Sequence, residues 1–81
     1  MDLENFKKGL KLIAEIYRDM FATIEEVDAW YEVLKYYDGA VFYSAVIYYC
    51  QHYHNRPFPS NIVEIMERIL ENQNEEETSE Y

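Results

Sequence analysis

Residues 39–54 read GAVFYSAVIYYCQHYH, and wound into a helix they leave almost no polar side. Phe42, Ala45, Val46, Tyr49 and Tyr53 recur at helical spacing as one stripe. Tyr43, Ile47, Cys50 and His54 form a second stripe beside it, and Val41 and Tyr48 fill the remaining flank. Only Ser44 and Gln51 mark a clearly polar arc. A helix that is apolar nearly all round is stable only when other elements surround it. This segment therefore belongs at the centre of the fold, with its tyrosine hydroxyls reaching for partners or the surface.

The segments on either side can supply the cover. Leu3, Phe6, Leu10, Ile13, Tyr17 and Met20 alternate steps of three and four, with Leu12 and Ile16 widening the stripe, and predict a helix over about 2–20. Lys7, Lys8, Lys11 and Glu15 fall mainly elsewhere around it. Gly9 inside this pattern costs about 1 kcal/mol relative to Ala, which points to close packing there or to simple tolerance. Thr23-Ile24-Glu25-Glu26 has the form of a capping box and opens a second helix over 24–37, with Val27, Trp30, Tyr31, Leu34 and Tyr37 on its buried side. Asp38 is placed to cap the third helix, 39–54.

Pro57-Phe58-Pro59 cannot continue a helix, because prolines remove donors and bias the preceding residue to extended conformations. Phe58 is expected to insert between helices as a hydrophobic latch. Ser60 or Asn61 then caps a fourth helix, 61–71, carrying Ile62, Ile65, Met66 and Ile69, with Asn61 and Glu64 as a weak capping box. The end of the chain, ENQNEEETSEY, has little to bury against its ordering entropy. The reading is all-α: a compact four-helix domain over 1–70, followed by a disordered acidic tail over 72–81. A core of this size supplies about 3–5 kcal/mol, so a partner or a second copy could matter to stability.

Charge narrows the function. Sixteen acidic against seven basic side chains give −9, which repels phosphates and anionic membranes. Direct nucleic-acid binding through a basic patch is not expected, nor is a membrane. The first twenty residues carry charges throughout and form no signal peptide, and a single cysteine excludes an internal disulfide. We expect a cytoplasmic protein.

The stretch YYCQHYH at 48–54 gathers the single cysteine and both histidines. On a helix, Cys50 and His54 share a face while His52 points about 200° away, so at most two of the three reach one metal ion. A structural zinc site needs four ligands. A Cys–His nucleophile needs an orienting group and an oxyanion site as well. With no Gly-rich phosphate loop and no His-Glu-x-x-His, the expectation is no metal, no cofactor and no enzyme.

The sequence FKKGLKLIAEIY, the threonine-capped TIEEVDAWYEVLKYYD, a helix with Ala45 and Tyr49, and then PFPSNIVEI together resemble a known domain. The domain that these segments resemble is the N-terminal helical domain of phage replicative-helicase loader/inhibitor proteins. Tyr17, Trp30, Leu34, Asp38, Ala45, Tyr49, Phe58, Pro59, Ile62 and Ile65 occupy the matching slots, across about residues 6–66. The departure is Pro57-Phe58-Pro59, where the family favours two prolines after the aromatic.

The resemblance implies a non-enzymatic accessory protein that binds a replicative DNA helicase as loader or inhibitor. Tyr36, Tyr37 and Tyr48, with the tail residues Glu75, Glu76 and Glu77, are the candidate partner contacts, since Tyr brings large contact area at low entropic cost. Two alternatives stay open. One is a small acidic inhibitor or DNA mimic, of the anti-CRISPR kind, that blocks a nucleic-acid enzyme. The other is a homo-oligomeric structural protein with an aromatic self-interface.

Overall fold

The computed structural model describes residues 1–79, with side chains described through Gln73. Among the described residues there are four helices and no strand: α1 (Leu3–Ile16), α2 (Ile24–Leu34), α3 (Gly39–His52) and α4 (Pro59–Ser79). The all-α, four-helix expectation is met. The helices alternate in direction. Gly9 lies against Phe42 and Tyr17 against Tyr49, so α1 and α3 run side by side in the same sense. The amino group of Met1 donates to the Lys35 carbonyl, and the Phe21 ring meets Trp30 at the other end, so α2 runs back along α1. Tyr49 and Tyr53 share a cleft with Asn61 and Ile65, while Asp38 and Val41 share one with Ile69 and Gln73, so α4 runs back along α3.

As its composition demands, α3 is central. Phe42, Ala45 and Val46 are fully buried, and Tyr49 nearly so, between α1 and α4. Ile13, Leu34, Ile62 and Met66 complete the innermost layer, each with no exposed surface. Gly9 resolves in favour of close packing, because a Cβ there would meet Cζ of Phe42 at 2.9 Å. Gly39 is equally tight, facing Asp2 and the Cβ of Asn5 at 2.9 Å.

Side-chain oxygens fix where the helices start. Asp2 accepts from the Asn5 backbone N–H at 3.0 Å, Thr23 from Glu26 N–H at 3.2 Å, and Asp38 from the N–H groups of Ala40 and Val41. Each satisfies donors that the first turn leaves open. The start of α4 differs from the expectation that Ser60 or Asn61 caps it. Phe58 holds the cap position and Pro59 is the first helical residue, where its missing N–H costs nothing. Asn61, three residues on, turns its side-chain oxygen back to accept from the Phe58 N–H at 2.8 Å.

The first three helices end earlier than their apolar stripes suggest. Tyr17 is extended (φ −109°, ψ 137°), which sends its hydroxyl to donate to the Tyr53 carbonyl at 2.8 Å. Asp19 and Phe21 then take left-handed backbone angles (φ 61° and 59°) and turn the chain into α2. That geometry is unfavourable for a bulky residue, and Phe21 holds it with its ring edge-on to Trp30 at 5.1 Å. Beyond Leu34 the chain tightens, with the Tyr37 N–H donating to the Leu34 carbonyl. Tyr53 is extended and closes α3 at His52.

Phe58 is not a latch. It is 70% exposed, and Pro57 is the buried member of the turn. Because Phe58 caps the helix rather than lying in it, its side chain points away from the core stripe set by Ile62, Ile65 and Met66. At its other end α4 runs past the expected limit of 71, through Ser79, and the acidic tail expected over 72–81 lies, beyond Gln73, outside the residues whose side chains are described.

Candidate functional site

The aromatic stretch that raised the question of metal or thiol chemistry is built for packing. Cys50 is half-buried, and burial pushes its thiol above the usual range, with a hydrogen bond involving Tyr17 opposing part of that shift. A thiol held neutral in this way is a poor nucleophile. His54 lies beyond the end of α3, so it does not share a helical face with Cys50. His52 is exposed and its ring lies 4.2 Å from that of Tyr48. Among the described residues, no three His, Cys, Asp or Glu side chains gather as metal ligands.

The buried tyrosines here hold the linker between α3 and α4. Tyr17 donates to the Tyr53 carbonyl, and Tyr49 donates to the Asn55 carbonyl, both at 2.8 Å. The Tyr49 and Tyr53 rings stack at 4.7 Å. Burial, reinforced by Cys50 and Tyr49, pushes the Tyr17 hydroxyl up to about 12, and burial also raises Tyr49.

The candidate contact tyrosines divide. Tyr36 and Tyr37 follow α2 directly, whereas Tyr48 belongs to α3. Tyr36 is 83% exposed, with the Lys35 ammonium 5.3 Å from its ring centroid. The same ammonium pairs with Glu32 at 2.9 Å, and that hydrogen bond raises the Lys35 pKa. Tyr37 is half-buried and its hydroxyl donates to Glu67 of α4 at 3.3 Å, so it also ties α2 to α4. Desolvation and the Glu67 charge both raise its pKa. Tyr48 is 41% exposed. Glu75, Glu76 and Glu77 fall outside the residues whose side chains are described.

Sequence reasoning passed over the rest of the outer face of α2. Trp30 and Leu34 point into the core, and Val27 and Tyr31 pack on its edge. Ile24, Ala29 and Val33 are left exposed. Ala29 and Val33 are four residues apart and so lie on one side of the helix, and Tyr36 follows just beyond its end. Glu25, Asp28 and Glu32 are exposed beside them, along one flank. The signal was in the sequence, since these apolar residues lie off the stripe that feeds the core.

Residues 1–66 match the model of the G39P N-terminal-domain family, the N-terminal domain of a phage helicase loader/inhibitor. The chain belongs to that family. The match ends within α4, at the last fully buried residue of the core, Met66. It therefore covers the packed part of the G39P-type domain, including the Asp2, Thr23 and Asp38 caps. No curated protein and no solved structure shows significant similarity to the chain. Among the described residues, no helix is long and apolar enough to cross a membrane.

Proposed function

We propose that this G39P-type domain is a non-enzymatic, cytoplasmic accessory protein that binds a replicative DNA helicase, as loader or inhibitor, through stoichiometric contact. Family membership supports the helicase as partner. The observation that carries the contact is Tyr36, a large side chain 83% exposed beside an apolar helical stripe. Large aromatic groups held out on a rigid scaffold are the residues that dominate protein–protein affinity. Tyr37, half-buried against Glu67 of α4, contributes only its exposed edge, and Tyr48 and the acidic Glu75–Glu77 run are separate, secondary contacts on this reading.

Purified hexameric replicative helicase, mixed with the protein and separated by size, tests this. Co-elution that survives a high-salt wash supports the reading, because apolar contacts depend little on ionic strength. No complex at any salt contradicts it. Capture of a nuclease or polymerase that DNA displaces would point to the acidic-mimic function instead.

A further inference from the structure

The eleven residues of α2, IEEVDAWYEVL, contain four acids and no base. Part of their outward side is apolar: Val33 is 46% exposed one turn after the exposed Ala29, and Tyr36, 83% exposed, follows just beyond the helix. The innermost core is closed without them, since Leu34, Phe42, Ile62 and Met66 have no exposed surface. Resting on the reading of the chain as a protein-binding module, we propose that this face docks a cationic amphipathic helix of the partner. The partner's apolar stripe lies on Ala29, Val33 and Tyr36, and Lys or Arg residues along one of its flanks lie against Glu25, Asp28 and Glu32.

Three features select this occupant. Ala29 and Val33, one helical turn apart, with the large exposed Tyr36 just beyond, present the spaced apolar contacts that a second helix reads. The flanking charge is of one sign, and the nearby Lys35 is already paired with Glu32 at 2.9 Å, so cationic flanks complement it. That same charge disfavours the other occupants. A second copy docked by two-fold symmetry would set Glu25, Asp28 and Glu32 against like charges, and nucleic-acid phosphates would be repelled outright. An eleven-residue helix is about 16 Å long, which accommodates roughly three turns of a partner helix.

The probe is a synthetic Leu/Lys peptide of about 14 residues, four helical turns, titrated into the full isotope-labelled chain and followed by amide NMR shifts. The expected result is saturable binding with the largest shifts at Ala29, Val33 and Tyr36. Val33→Asp and Tyr36→Ala should each weaken it about tenfold or more, with unchanged thermal melts. Glu25→Gln with Glu32→Gln should lower affinity and flatten its salt dependence. Equal binding of a scrambled peptide, shifts centred away from α2, or a dimer abolished by Val33→Asp would each overturn the inference. If helicase binding is untouched by Val33→Asp, the partner reading stands and this face is wrong. If the peptide maps to α2 but no helicase binds, the face stands and the helicase reading fails.

Discussion

Helices α2 and α3 are both rich in aromatic and aliphatic residues, yet they use them differently. In α3 the excess is absorbed: α1 and α4 cover Phe42, Ala45, Val46 and Tyr49, and only Tyr48 stands substantially exposed among its large apolar residues. In α2 one side feeds the core through Trp30 and Leu34 while Ile24 and Val33 face outward, and Tyr36 follows them. Apolar content alone therefore does not separate core from contact surface. What separates them is whether a neighbouring helix lies against each side.

The largest expected effects fall on the residues that the core requires. Trp30→Ala, at a side chain only 4% exposed, and Phe42→Ala, at one with no exposed surface, should each cost about 3–5 kcal/mol. That is comparable to the whole stability of so small a domain. Circular dichroism should show an unfolded or barely cooperative protein, and a near-wild-type melt would mean the core is misplaced.

Gly9→Ala comes next and tests the contact between α1 and α3. In an open helix the change would gain about 1 kcal/mol. Here the new methyl group meets the Phe42 ring, and overpacking costs of about 1–3 kcal/mol should reverse the sign. A raised melting temperature would show that the helices can part at no cost.

Alkaline pH probes the tyrosine struts that hold the linker after α3. The Tyr17 pKa is raised from 10.0 to about 12 in the folded chain, so its stabilising contribution is complete below pH 10. It is lost as pH climbs from about 10 to about 12, because the unfolded state gives up its proton first. Tyr37 and Tyr49 are raised as well and steepen the same limb. Tyr17→Phe should flatten that limb in a plot of melting temperature against pH. At neutral pH it should cost about 1 kcal/mol for the lost hydrogen bond to the Tyr53 carbonyl. An alkaline limb unchanged by Tyr17→Phe would remove this role.

Most of the bundle was legible from period and punctuation. The Asp38 and Thr23 caps, the central α3 and the core face of α4 all follow from local rules that the tertiary structure does not overrule. The helix ends were less legible because they are decided by distant partners. Nothing near Tyr17 announces that its hydroxyl will seek the carbonyl of Tyr53, 36 residues away. Phe58 misled for a related reason: an aromatic residue between prolines suggests burial, but capping α4 turns it outward and buries Pro57 instead. Within the candidate site, Tyr36 and Tyr37 were found from residue type, whereas Ala29 and Val33 were signalled only by lying off the core stripe of Trp30 and Leu34, and the structure shows them exposed.

The smallest effects on stability should come from that outer surface. Phe58→Ala, Tyr36→Ala and Val33→Asp replace exposed side chains and should change stability by no more than about 0.5 kcal/mol. A large loss on Phe58→Ala would restore its role as a latch.

The most direct test is quantitative binding of purified hexameric replicative helicase to the wild-type chain and to the Val33→Asp/Tyr36→Ala double variant, with both proteins shown to be folded. The account predicts a stoichiometric complex with the wild type and loss of that complex in the variant. Equal binding by both, or binding by neither, would contradict it.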